Sequence, residues 1–223
     1  MKEQQIGLPG GNRVSAIFYP AEEPRLRALF VLAHGAGAGQ TSPFIRDFAT
    51  ALAARGVDVF TFNFPYMEAR RRAPDRADIL EQCFLAAIAE GAELADVGQR
   101  TFLGGKSMGG RIASHLAARA SESPTPLSGL IVLGYPLHPP GKPEQLRSQH
   151  LGRITIPTLV IQGARDPFGT PDELKKWFSR PGMTTVFIKD GDHSFKVPKS
   201  SSPSQADVLA GIQDHIARWI AAH

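Results

Sequence analysis

Short unbroken apolar runs alternate along the chain with longer stretches whose apolar residues recur every three or four positions. The runs are "ALFVLAHG" (28–35), "VDVFTFNF" (57–64), "RTFLGG" (100–105), "GLIVLGY" (129–135), "PTLVIQG" (157–163) and "MTTVFIK" (183–189). They are short and end near turn residues, so each is read as a strand, and "ALFVLAHG", continuous rather than alternating, as a buried one. The intervening helical patterns cover 42–56, 76–94, 108–120, 171–179 and 204–222. In the first of them Ser42 suits the cap, Pro43 the first turn and Gly56 the stop. This β-α alternation predicts an α/β fold, a mostly parallel twisted sheet with helices on both faces, as a single domain over 1–223. "RVSAIFYP" (13–20) has no helix after it and is expected to pair antiparallel at an edge. The Pro-rich stretch 136–146 is the one long irregular insertion.

Composition narrows the class of protein. A chain of 223 residues buries roughly 70% of its unfolded surface, ample for a packed core. The formal charge is +4, spread along the chain except at Arg70-Arg71-Arg72. With no basic stripe and no reading module, nucleic acid is not expected as a partner. The single cysteine, Cys83, permits no internal disulfide and reads as a small buried hydrophobe. With no apolar leader in "MKEQQIGLPGGN" and no run long enough to span a bilayer, a soluble, cytoplasmic protein is expected, without membrane association.

The stretch "FLGGKSMGG" (102–110) admits two readings. Gly105-Lys106-Ser107 can end a phosphate-binding loop, but that motif needs glycine at position 100, where Arg100 stands. The dinucleotide fingerprint fails as well, because Gln40 occupies the third glycine position after Gly35 and Gly37. Gly105-Lys106-Ser107-Met108-Gly109 is also G-x-S-x-G, a strand-turn-helix elbow that presents a nucleophilic serine. A strand before it and a helix after it supply the required context.

A serine needs a base, and the base an orienting carboxylate. Asp166 in "IQGARDPFG" and His193 in "DGDHSF" each follow a predicted strand, in the order Ser107, Asp166, His193 found in serine hydrolases of this topology. Asp190 and Asp192, beside His193 in sequence, are expected to point elsewhere from their tight turn. Two backbone N–H groups must face the developing oxyanion. Met108 follows the nucleophile and supplies one. The loop "HGAGAG" (34–39) supplies the other, from Ala36 or Gly37, with His34 bracing the loop. No metal and no organic cofactor is called for.

The motifs "LAHGAGAG", "FPYM", "GGKSMGGRIAS", "LGYPLHPPGKPEQLR", "IQGARDPFG" and "DGDHSF" resemble those of small α/β-hydrolases of the dienelactone-hydrolase-like group, from about Ala28 to the last helix. The resemblance implies a compact hydrolase core with little or no cap. Dienelactone hydrolases proper carry cysteine at the elbow, where this chain has Ser107, which favours a carboxylesterase acting on small or medium acyl esters or thioesters. The superfamily also includes binding modules, so a non-catalytic protein-binding role is the alternative. The loops 64–76 and 135–147 are expected at the rim of the site. Phe64, Tyr66 and Tyr135, with Met67 and His138, are the candidates to bind a small-molecule ester substrate. The run Arg70-Arg71-Arg72 is either a solvated charge cluster or a lure for an anionic substrate.

Overall fold

The structure is a computed structural model that describes residues 1–23 and 25–223. In chain order the strands are β1 (Lys2–Gly7), β2 (Arg13–Tyr19), β3 (Ala28–Ala33), β4 (Asp58–Phe62), β5 (Arg100–Lys106), β6 (Leu127–Leu133), β7 (Thr158–Gly163) and β8 (Met183–Ile188). The helices are α1 (Pro43–Ala53), α2 (Pro65–Glu68), α3 (Ala77–Leu94), α4 (Met108–Ala117), α5 (Pro171–Phe178) and α6 (Gln205–Ala222). Among the described residues the strands form one eight-stranded sheet, ordered β1-β2-β4-β3-β5-β6-β7-β8. β1, β2 and β4 pair antiparallel in succession, and all other neighbours are parallel. This is the α/β-hydrolase arrangement.

The unbroken apolar runs follow from the layering. Along β3, Leu29, Val31 and Ala33 face one core, with α3 and α4. Ala28, Phe30 and Leu32 face the other, with α1 and α6. A strand between two helical layers has no wet face, so every position is apolar. Two elements differ from the sequence expectation. β2 is antiparallel but does not lie at the edge, because β1 pairs outside it over Lys2–Gly7. β1 escapes sequence pattern because only Ile6 of "KEQQIG" is buried; backbone pairing holds the rest. The short α2 lies within a segment expected to be irregular. Among the described residues no helix is long and apolar enough to cross a membrane.

The centre of the sheet depends on close backbone approach. A Cβ at Gly105 would stand 2.5 Å from the Ala33 carbonyl oxygen, and one at Gly109 would meet the His34 and Ala33 carbonyl oxygens at 2.6 and 2.7 Å. These contacts let α4 seat directly on β3 and β5. Gly109→Ala is expected to destabilise the fold by roughly 1–3 kcal/mol, the range for overpacking. Gly211, exposed on α6, has nothing within 4 Å of an added Cβ. Gly211→Ala is expected to stabilise by about 0.4–1 kcal/mol through the unfolded chain. Urea midpoints of the two variants test this; equal midpoints contradict it.

Candidate active site

Ser107 stands between β5 and α4 at φ 52° and ψ −115°. A non-glycine residue held there stores about 1–3 kcal/mol of backbone strain, sustained by its surroundings. Those surroundings fix it on both sides. Its N–H donates to the Leu133 carbonyl at 2.9 Å, and its carbonyl accepts from Arg111 N–H at 3.0 Å, starting the helix. The side chain is thereby turned out of the sheet edge.

His193, after β8, brings Nε2 to 2.8 Å from Ser107 Oγ. Its Nδ1 lies 2.7 Å from Asp166 Oδ2. A carboxylate only accepts, so the ring proton sits on Nδ1 and Nε2 is left to accept from the serine hydroxyl. Asp166, after β7, is buried with 1% exposure. Its charge is met by Gln162 Nε2, which donates to Oδ2 at 2.8 Å, and by Phe168 N–H, which donates to Oδ1 at 2.8 Å. The Phe168 ring packs 4.3 Å from the imidazole. Asp192 is engaged otherwise: its Oδ1 accepts from Ser194 N–H at 2.7 Å and Lys196 N–H at 2.9 Å, building the turn that carries His193. Ser107, Asp166 and His193 thus form one hydrogen-bonded chain, while Asp190 and Asp192 lie outside it.

The loop after β3 is braced as a unit. His34 Nδ1–H donates to the Gly35 carbonyl at 2.8 Å, and Nε2 accepts from Phe64 N–H at 3.1 Å. Burial lowers the His34 pKa to about 4, so the ring is neutral and able to accept. Gln40 N–H donates to Asn63 Oδ1 at 2.8 Å and closes the far end. Between these anchors, Ala36 lines both cavities that reach Ser107, whereas Gly37 lines neither. Met108 opens α4, where free N–H groups and the positive end of the helix dipole favour negative charge.

Ser107 opens onto two cavities. One, of about 540 Å³, runs towards α1 and α6 past Pro43, Phe44 and Leu209. The other, of about 400 Å³, runs along α4 past Met108, Arg111, Arg147 and Phe168. Phe64, Tyr66 and Tyr135 line neither, and each is 0% exposed. This corrects the expectation that they bind substrate. Phe64 packs edge-on against Phe62 and His34, Tyr66 against His34, and Tyr135 against Phe178. The inner core is a better place for these rings than the wet rim. His138 is likewise buried, hydrogen-bonded at Nδ1 to the Pro139 carbonyl and facing Glu173. Arg70, Arg71 and Arg72 are exposed and line neither cavity, and Arg71 pairs with Asp75. Among the described residues no group of three or more His, Cys, Asp or Glu side chains is arranged to hold a metal. Burial pushes the Cys83 thiol pKa well up, so it stays protonated.

Sequence reasoning missed Gln162 and Lys106. Gln162 sits inside an apolar strand, and that lone polar residue was the available signal. Lys106 Nζ is buried and donates to the His193 carbonyl at 2.6 Å, tying the elbow to the histidine turn. The Phe44 and Phe195 rings flank the ammonium at 5.9 and 5.6 Å. Burial lowers its pKa to about 8, with Asp166 and Asp192 opposing more weakly. Between that value and the unfolded 10.5 the unfolded chain binds the proton that the folded chain lacks, so stability from this group rises with pH and is lost as pH falls through 8. The difference in urea midpoint between wild type and Lys106→Met should therefore shift in favour of wild type from pH 8 to 10.5. A constant difference across that range would show that the ammonium is not desolvated.

Comparison with known proteins agrees with this architecture. Residues 26–221 match the alpha/beta hydrolase domain family. Human hormone-sensitive lipase is 34% identical over 140 residues, 58% of this chain but 12% of that protein. The mouse protein is 33% identical over 135 residues, 57% of this chain and 17% of that one. The chain thus spans less than a fifth of these curated relatives. A Xanthomonas campestris α/β serine hydrolase without a lid superposes with a TM-score of 0.73 at 21% identity, over 98% of this chain and 94% of that one. Dienelactone hydrolase from Anabaena variabilis gives 0.71 at 17% identity, over 100% and 99%. With its sheet order, its elbow and a match covering residues 26–221, the chain belongs to the α/β-hydrolase domain family.

Proposed function

We propose that the protein is a serine hydrolase that cleaves small or medium acyl esters or thioesters through an acyl-enzyme. The observation that carries this reading is the continuous chain Ser107 Oγ–His193–Asp166, at 2.8 and 2.7 Å, facing open cavities. Ser107 Oγ attacks the carbonyl carbon as its proton passes to His193 Nε2. Asp166 holds the tautomer and stabilises the imidazolium. The Met108 and Ala36 N–H groups receive the oxyanion. The tetrahedral adduct collapses, and His193 gives the proton to the departing alcohol or thiol. Water then attacks the acyl-serine, His193 takes its proton, and the acid leaves as Ser107 is restored. The name of the curated relatives, hormone-sensitive lipase, agrees with an ester as the bond broken. Lys106 acts as a positioning residue, through the carbonyl of His193.

Ser107→Ala should lower kcat on para-nitrophenyl esters by roughly 10⁶-fold, with a wild-type melting curve, and should abolish labelling by a fluorophosphonate probe. Full turnover in a clean preparation of this variant would refute the assignment.

The choice of acid is tested separately. Asp166→Asn should cost on the order of 10⁴ in kcat, because Nδ1 then loses its acceptor-only partner. Asp192→Asn keeps an Oδ1 acceptor for its turn and should cost about tenfold or less. Side-by-side kinetics decide; if Asp192→Asn were the inactive protein, the third member of the triad would be misassigned.

A further inference from the structure

Arg111 and Arg147 line the cavity beside Ser107 and also a neighbouring cavity of about 480 Å³, which Arg119 and Arg153 border as well. The two arginines are therefore a common wall between the nucleophile and a strongly cationic hollow. Arg111 lies one helical turn past Ser107, a rise of about 6 Å. Arg147 is held by its backbone: its N–H donates to the Leu137 carbonyl at 2.7 Å, and its carbonyl accepts from the Tyr135 hydroxyl at 2.7 Å.

Their guanidinium groups are almost unused. Arg111 Nη1 reaches His115 Nε2 at 3.5 Å, and Arg147 Nη1 reaches the Pro136 carbonyl at 3.5 Å. A guanidinium has five N–H donors, so most remain free. Two acids, Glu81 and Asp75, border these cavities, and neither is paired with Arg111 or Arg147. Glu81 takes His115 Nδ1–H at 2.7 Å and Arg119 at 2.5 Å. Asp75 Oδ1 takes Arg71, although its buried Oδ2 has no partner. Among the described residues neither Arg111 nor Arg147 has a carboxylate within ion-pair distance. Burial and the neighbouring charge of Arg147 both lower the Arg111 pKa, as expected for two half-buried cations side by side. Half-buried, forked cations that lack a protein anion fit an oxyanion from a ligand.

We propose that Arg111 and Arg147 bind an oxyanion, a carboxylate or a phosphate, at one end of the substrate, a few carbon atoms from the scissile carbonyl. This rests on Ser107 being the nucleophile. The preferred substrates are then acyl esters or thioesters that carry a terminal negative charge. The apolar cavity towards α1 and α6 takes the uncharged part on the other side of the bond. The exposed run Arg70-Arg71-Arg72 plays no part.

Three para-nitrophenyl esters with the same three-methylene acyl chain test this, ending in methyl, carboxylate or phosphonate. After correction for spontaneous hydrolysis, kcat/KM for at least one anionic ester should exceed that for the methyl ester by about 10–100-fold, the range for a charge-assisted contact. The carboxylate and phosphonate arms tell which oxyanion is preferred. Arg111→Gln and Arg147→Gln should each reduce the anionic-to-methyl ratio about tenfold, while Arg55→Gln, in the turn after α1 and paired with Asp214, should leave the ratio as in wild type. Binding of free glutarate and phosphonobutyrate, measured by calorimetry, needs no catalysis and should weaken in the same two arginine variants. If neither acid binds and the methyl ester is cleaved as well as the others, the anion site is wrong while the hydrolase reading stands. If the acids bind through these arginines yet no ester is turned over, the anion site stands and the hydrolase reading falls.

Discussion

The site depends on one steric constraint, the contact of the α4 backbone with the carbonyls of β3 and β5. Gly105 and Gly109 permit an approach that any Cβ would block at 2.5–2.7 Å. That approach holds Ser107 at positive φ, and from this one residue the rest follows. Oγ is aimed at His193, Met108 N–H begins a helix whose positive end faces the same point, and Arg111 stands one turn further along. A packed interior does not deform gradually, so the elbow keeps its strain instead of relaxing.

Around the elbow the residues that hold the triad are themselves hydrogen-bonded. Gln162 is the hub at the end of β7. Its Oε1 accepts from Tyr135 N–H at 2.7 Å, and its Nε2 donates to Asp166 and to the Gly169 carbonyl at 2.8 and 3.1 Å. The ends of β6 and β7 are thereby locked to the carboxylate that orients His193. Tyr135 extends the same network outward, because its hydroxyl holds the Arg147 carbonyl. A residue expected to touch substrate instead supports the loop carrying a cavity arginine. Low local polarity strengthens such networks, and it also keeps His34 neutral and lowers the Lys106 pKa. Rigidity and electrostatics thus have a common source in the burial of these groups at the sheet edge.

The α/β alternation, the elbow and the Ser107, Asp166, His193 order were readable in the sequence because each has a local signature. Strands between two helical layers are mostly apolar on both faces, and the elbow needs glycines at fixed offsets from its serine. What had no local signature was decided by tertiary contact. β1 pairs through its backbone and is polar in sequence. The facing of Phe64, Tyr66 and Tyr135 was set by which core had room for a ring. The charge clusters were decided the same way: the conspicuous Arg70-Arg71-Arg72 is exposed, while Arg111 and Arg147, 36 positions apart in the chain, meet at one cavity. Lys106 shows the limit most plainly, since nothing in "GGKSMGG" reveals that its ammonium is buried against the carbonyl of a residue from another strand end. Sequence carries periodicity and short-range stereochemistry; burial and charge pairing belong to surfaces that exist only after the chain has folded.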